Sequence, residues 1–334
     1  MRYYLCETIP ETRQKYRAGK MRDDVEETLK TLGFGDITVT AAPEVGFGAY
    51  RKFRGCFDDL WKGDTLIVQT PFMTSGIIMR RLFKSLMKRG VEIYVVIHDL
   101  NDFLENCMGL CSACDGVLVN NEKVAAELKR QKLSIGKIVS FDLYDYYIPE
   151  GISGSCGEFS QKGPVVIAGT LSREEAGYIY HLPDNCDFRL YGNGYEGKVT
   201  HSIAFGGEYL PNDLPFMLKG SFGLVWTGTS PMTCMGLAGD VIKTYNPMQL
   251  SLYLSSGLPV IVWSESAAAD FVIQKGCGFT VSSLAEIGYR LNSMSEKTYN
   301  KMKKSAEGVG IPMRDGCYGR SAFMKICESF RFFC

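Results

Sequence analysis

The sequence lacks most of the features that would fix its class directly. It has no run of about 20 apolar residues, so no stretch reads as a membrane-spanning helix. Its first residues, MRYYLCETIPETRQ, turn polar too early for a secretory leader, and a cytoplasmic chain is expected. No HxxxH, GxSxG or P-loop pattern is present. Neither sign of charge is in excess: Lys+Arg and Asp+Glu both total 37 among 334 residues. That balance gives no ground for an extended nucleic-acid surface, and no nucleic-acid partner is expected. Cysteine is not scarce, at 12, but it is scattered through a long chain that is expected not to be secreted. Buried reduced thiols are expected rather than disulfides. Cys107, Cys111 and Cys114 form the one cluster, with the CxxxCxxC spacing of a radical-SAM iron–sulfur site. They lie on a helical run, FLENCMGLCSACD, whereas thiolate ligands favour open loops, so no metal site is expected.

What is present describes a globular chain long enough for two domains: 46% of residues are hydrophobic and 22% charged. Residues 1–150 alternate strand-like and helix-like patterns. The apolar runs MRYYLCE, ITVT, TLIVQ, VEIYVVIHD, GVLVN and KIVSFD are separated by helical stretches such as MRDDVEETLKTLGF and SGIIMRRLFKSLMKRG. Alternation at this interval predicts a parallel, doubly wound sheet. Residues 151–163 are rich in Gly and Ser and read as a linker. A second alternation fills residues 164–318, and an amphipathic helix over about 319–334 is left without a domain of its own. It is expected to pack back on the first half. Two α/β halves are therefore expected to face each other across a ligand cleft at the C-terminal ends of both sheets.

The stretch Gly239–Trp263 carries the clearest local signals. Asn246 is a good N-cap and Pro247 suits the first helical position. Leu250, Tyr253 and Leu254 repeat at helical spacing, Gly257 is placed for a left-handed cap, and Val260–Trp263 reads as a strand buried on both faces. The start of that helix offers unpaired N–H groups and about half a positive charge, which suits an anion such as a diphosphate. An ordinary αβ unit explains the same pattern equally well. The segment Met232–Lys243, with two glycines and Asp240, reads as a mobile loop.

Other motifs are weaker. Gly192, Gly194 and Gly197 spell GxGxxG after the strand DFRLY, but KVTHSIAF follows and reads as strand, so a dinucleotide fingerprint is rejected in favour of a turn. His98 and Asp99 end a strand and are candidates for a general base on an acceptor hydroxyl, or else form a structural pair. His181 and His201 read as structural or exposed. Ala168-Gly169-Thr170 ends a strand, where the glycine permits close approach of a ligand and Arg173 can meet a phosphate. A solvated βα turn is the alternative.

Taken together, these pieces resemble the bacterial glucosyltransferase 3-like and β-1,6-galactofuranosyltransferase family. The carriers are QTPFMTSGIIMRRLFKSLMKRGVEIYVVIHDLNDF in the first half, and VVIAGTLSR, FRLYGNG, KGSFGLVW and KTYNPMQLSLYLSSGLPVIVW with AAADFV in the second. The resemblance implies a GT-B glycosyltransferase that moves glucose or galactofuranose from a UDP-sugar to a glycan or lipid-linked acceptor. It implies inversion without a metal or other cofactor. The donor would be held by Gly169, Thr170, Arg173, Tyr191 and Gly192, and by Lys243, Tyr245 and Asn246 with the helix start at Gln249, Leu250 and Ser251. Gly19 and Lys20, beside Ala18 in a polar loop, would face the diphosphate from the first half. His98 or Asp99 would serve as base. Work at the inner face of a membrane and a homo-oligomer both stay open. The chain departs from the family pattern at Gln249, where a lysine is common, at Thr227, where an acid is common, and at Leu252, where other GT-B enzymes carry a ribose-binding glutamate. A non-catalytic partner subunit and a nucleotide-sugar epimerase are the alternatives.

Overall fold

The computed structural model describes residues 1–8, 18–43, 48–111, 114–131, 134–148, 156–234 and 236–327. The chain divides into two compact units, Met1–Tyr144 together with the segment from Gly316 onward, and Asp145–Asp315. The expected boundary at 150 and the first five residues of the expected linker, 151–155, lie outside the described residues, and the rest of that linker contains a short strand, Glu158–Phe159.

The first unit is built on six parallel strands: β1 (Arg2–Thr8), β2 (Gly35–Thr40), β3 (Thr65–Thr70), β4 (Glu92–Ile97), β5 (Gly116–Val119) and β6 (Lys137–Ser140). Their order is β2-β1-β3-β4-β5-β6. The central strands β3 and β5 are buried along their whole length, as a sheet covered on both faces requires. At the β2 edge the pattern falls to period two, with Ile37 and Val39 inward and their neighbours out. The helix Gly76–Lys88 presents Ile78, Met79, Leu82, Phe83 and Leu86 to the sheet, and Gly90 stops it at φ 78°. The helix Ala18–Thr31 begins a turn earlier than its pattern suggests, so Gly19 and Lys20 are helical rather than in a loop. The C-terminal helix Cys317–Ile326 packs on β5, β6 and Ala18–Thr31. Gly116 makes room for it, since a Cβ there would lie 3.1 Å from the Ile326 methyl.

The second unit contains β7 (Glu158–Phe159), β8 (Val165–Ala168), β9 (Phe188–Tyr191), β10 (Ile203–Gly207), β11 (Lys219–Gly220), β12 (Gly223–Val225), β13 (Val260–Trp263) and β14 (Gly278–Val281). Strands β7 and β11 pair with each other, and the other six form a parallel sheet of order β10-β9-β8-β12-β13-β14. Renumbered within that sheet, this is the 3-2-1-4-5-6 order of a Rossmann fold. The helix Met248–Ser256 is its central packing element, with every residue from Leu250 to Ser256 buried. Two glycines permit this. A Cβ on Gly223 would sit 2.2 Å from the Tyr253 ring, and one on Gly310 would sit 1.8 Å from the Leu254 carbonyl. The buried Ser255 and Ser256 hydroxyls are satisfied by donating to the Leu252 carbonyl at 2.9 and 2.7 Å. Gly257 caps the helix at φ 81°. Its start lies one residue later than the sequence suggests: Pro247 is the N-cap, with ψ 155°, and Asn246 is outside the helix. The segment expected to be a mobile loop contains a helix, Gly236–Ile242.

Candidate functional site

In a Rossmann-ordered sheet, ligands bind beyond the C-terminal ends of the strands, where the winding direction reverses. In the second unit that point lies between β8 and β12. Strand β8 is followed directly by Gly169, with φ 137°, and neighbouring β9 by Gly192, with φ 129°. The Gly169 N–H donates to the Tyr191 carbonyl at 2.9 Å, and the Gly192 N–H to the Gly207 carbonyl at 3.0 Å. The two glycines are so close that a Cβ on Gly192 would lie 1.9 Å from the Gly169 oxygen. Bare backbone therefore forms the floor of the switch point, and a ligand can approach it without meeting a side chain.

Cations flank this floor. Ser172 caps the short helix Arg173–Ala176 by accepting from the Glu175 N–H at 3.4 Å. Arg173 is exposed, and its guanidinium lies 4.0 Å from the Tyr180 ring centre. Tyr180 is itself fixed, donating to the Leu171 carbonyl at 3.1 Å and accepting from the Glu196 N–H at 3.0 Å. The arginine is thus positioned by an aromatic face, and among the described residues it makes no salt bridge. At the end of β13, the Lys243 ammonium lies 5.4 Å from the Trp263 ring centre, 3.7 Å from Asp240 and 4.0 Å from Glu265. These pairs are long and exposed, so the lysine remains available to an anion. Tyr253 ties the packing helix to this edge by accepting from the Ala168 N–H at 2.7 Å.

Several expected contacts do not stand. Tyr191 cannot wall a base or ribose, because it is buried at 1% exposure and its hydroxyl accepts from the Lys219 N–H at 3.0 Å. Leu250 is fully buried core, and its N–H already donates to the Pro247 carbonyl at 3.0 Å. Ser251 is buried at 3% exposure and Asn246 at 7%, while Thr170, Tyr245 and Gln249 are half-buried. A hollow of about 800 Å³ lined by Arg189, Lys303 and Arg314 also exists in this unit. It borders Pro164 and Gly220, which precede β8 and β12, and so lies away from the switch point.

The comparisons with known proteins give the family and the fold. The N-terminal-domain model of the glucosyltransferase 3-like family matches residues 2–143, and its C-terminal-domain model residues 165–326. A β-1,6-galactofuranosyltransferase, WbbI, of Escherichia coli is 31% identical over 80% of this chain and 80% of its own. The chain belongs to the glucosyltransferase 3-like family. Glucosyltransferase 3 of Streptococcus gordonii is 22% identical over 91% of this chain and 92% of its own. The solved structure of the Anabaena HepE protein in complex with UDP and glucose aligns with TM-score 0.55 at 13% identity, over 97% and 98% of the two chains. That likeness is one of fold, and the two Rossmann-like sheets are those of a GT-B glycosyltransferase.

The remaining candidates of this glycosyltransferase lie in the first unit. Lys20, in the first turn of its helix, pairs at 2.6 Å with the buried Asp24, so its charge is already matched within the helix. His98 is buried, not projected into a cleft. Its Nε2 lies 2.6 Å from the Gln69 side-chain oxygen and its Nδ1 3.2 Å from the Tyr144 hydroxyl. An amide oxygen only accepts, so Nε2 carries the proton; the Tyr144 hydroxyl lies 3.2 Å from both Nδ1 and the Ile97 carbonyl, which share its one hydrogen. Burial, with the Arg22 charge adding to it, holds the ring well below the usual 6.5. A neutral ring with both nitrogens engaged is a structural group, which withdraws His98 as base. Arg22 extends the same network, donating to the carbonyls of Gln69 and Pro71. Nearby, the buried Glu7 carboxylate accepts the N–H groups of Met73 and Thr74 at 3.1 and 2.8 Å. Gln69 and Glu7 had no sequence signal beyond being polar residues near the ends of apolar strands, and Arg22, in a helix, and Tyr144, beyond β6, had none.

Asp99 differs from its neighbour. It is exposed at the end of β4 and caps the next helix, Oδ1 accepting from the Asp102 N–H at 3.0 Å. Burial pushes the Cys107 and Cys114 thiols up to about 12. The Cys111 side chain lies outside the described residues.

Proposed function

We propose that the chain transfers a hexose, glucose or galactofuranose, from its UDP conjugate to a saccharide acceptor of a cell-surface glycan. The observation that carries this reading is the glycine floor at Gly169 and Gly192, set at the sheet's switch point with Arg173 and Lys243 at its flanks. Bare backbone beside two available cations suits a nucleotide diphosphate. The relatives' names, a galactofuranosyltransferase and a glucosyltransferase, supply the choice of sugars.

In the proposed reaction an acceptor hydroxyl attacks the anomeric carbon from the face opposite the diphosphate. The new C–O bond forms as the bond to the β-phosphate breaks, UDP departs, and the configuration inverts. Asp99 takes the hydroxyl proton, being the exposed member of the pair that ends β4. Arg173 and Lys243 stabilise the charge that grows on the departing diphosphate, so no metal is required. Gln249, in place of the family's lysine, favours a second reading in which the chain binds a sugar nucleotide without turnover.

Thermal unfolding with a panel of nucleotide sugars tests the donor. The true one stabilises by about 2.7 kcal/mol at a hundredfold excess over Kd. UDP release and transfer with that donor then separate enzyme from binder. No shift with any UDP-sugar overturns the reading, and epimerisation without acceptor replaces it.

A further inference from the structure

The zero net charge of the chain hides one strongly basic region. Residues 48–90 hold nine Lys and Arg against three Asp and no Glu, a local excess of six in a chain that totals zero. The topology gathers them. The connections β2 to β3 and β3 to β4 step in the same direction across the sheet, whereas β1 to β2 steps the other way. Right-handed crossovers therefore put the helices Ala49–Gly55 and Gly76–Lys88 on one face. Contacts join them into a single surface. Tyr50 donates to the Arg81 carbonyl at 3.3 Å, and the Arg81 guanidinium lies 5.7 Å from the Tyr50 ring centre. At the far end Arg89 donates to the carbonyls of Phe57, Asp58 and Leu60, and the Gly63 N–H reaches the Gly90 carbonyl at 3.1 Å.

Outward from this surface point Arg51, Lys52, Lys62, Arg80, Arg81 and Lys84, all exposed. Of the three carboxylates, Asp58 is paired with Arg54 at 3.6 Å and Asp64 with the N-terminal amine, leaving Asp59. Among the cations stand exposed apolar side chains: Trp61 at 65% exposure, Ile77 at 56% and Met87 at 37%. A hollow of about 470 Å³ at the start of the second helix is lined by Ser75, Gly76 and Ile77 and by the three cations Arg80, Arg81 and Lys84.

We propose that this face docks on an anionic bilayer, its cations against lipid phosphates and Trp61 and Ile77 in the headgroup region. A nucleic acid would match the charge but gives the interleaved apolar side chains nothing to bury against, whereas the water–lipid interface takes both. The proposal rests on the function proposed above in one respect: a lipid-linked acceptor is met at such a surface.

Flotation of the full chain, without donor, with vesicles of phosphatidylcholine alone or with about a third phosphatidylglycerol tests it. Binding is expected only to the anionic vesicles, with loss in high salt. The triple variant Arg80→Glu, Arg81→Glu, Lys84→Glu is expected to lower vesicle affinity more than a hundredfold, since each cation contributes about fivefold. Trp61→Ala is expected to lower it about tenfold without changing the salt dependence. The triple variant's UDP thermal shift should stay at the wild-type value, which separates this proposal from the donor reading. Failure of the wild type to float with anionic vesicles, equal flotation with neutral ones, or tighter capture by single-stranded RNA than by vesicles overturns it.

Discussion

The two sheets end in opposite ways, although both are parallel and doubly wound. In the second unit the strand ends at the switch point are bare glycine, with Arg173 and Lys243 held beside them by aromatic rings. In the first unit the corresponding ends of β3 and β4 are sealed by polar side chains that satisfy one another: Arg22, Gln69, His98 and Tyr144. One edge leaves backbone and charge for a ligand, and the other consumes its polar groups internally. Topology alone therefore locates a place where a ligand can bind, while the residues at the strand ends decide whether that place is open.

The contrast can be broken at four points. Gly192→Ala should have the largest effect, about 4 kcal/mol of stability, because a Cβ there meets the Gly169 oxygen at 1.9 Å and φ is 129°. Chemical denaturation measures the loss, and a stable, UDP-binding Gly192→Ala protein would refute the glycine floor. Asp99→Asn retains a good cap, so fold and donor affinity should hold while transfer slows at least about a hundredfold. A rate within a few fold of wild type would move the base elsewhere. Arg173→Ala or Lys243→Ala should each weaken UDP binding about tenfold, as for one charge-assisted hydrogen bond. Calorimetric titration reads this directly, and an unchanged Kd would remove that cation from the site.

The smallest effect belongs to the sealed edge. His98 has a folded-state pKa below its unfolded value of 6.5. Above that pH both states are neutral and the group contributes no pH dependence. As pH falls below it, the unfolded chain takes up a proton that the folded chain refuses. Stability is thereby lost at up to about 1.4 kcal/mol per pH unit until the folded pKa is reached. His98→Gln should flatten this part of the stability–pH curve between pH 6.5 and 5. An unchanged slope would show that the ring is not held neutral.

Much of the fold was legible because its signals are local. The runs Leu66–Val68, Ile93–Ile97 and Val260–Trp263 are apolar throughout because both sheet faces are covered, and Gly33, Gly90, Gly257 and Gly276 take the positive φ that ends each preceding helix. Gly169 and Gly192 are positive-φ glycines at strand ends, as a close ligand approach requires. The failures share a cause. The helix Gly236–Ile242 lacks the one-sided pattern by which helices are read, whereas the helix Met248–Ser256 was legible and differs from expectation only in starting one residue later. The fates of Tyr191, the last residue of β9, and His98, just after β4, were hidden because alternation in a buried strand no longer distinguishes inside from outside.

By itself the sequence determined the alternation of strands and helices, the two parallel sheets and the glycines at their ends, because these depend on residues within a few positions of one another. The tertiary structure decided which polar groups remain available. His98 is spent because Gln69, 29 residues away, and Tyr144, 46 away, close around it. Arg173 stays open because its nearest partner is a ring. Hydrogen-bond partners distant along the chain leave no mark on local pattern, and it is they that separate the binding edge from the sealed one.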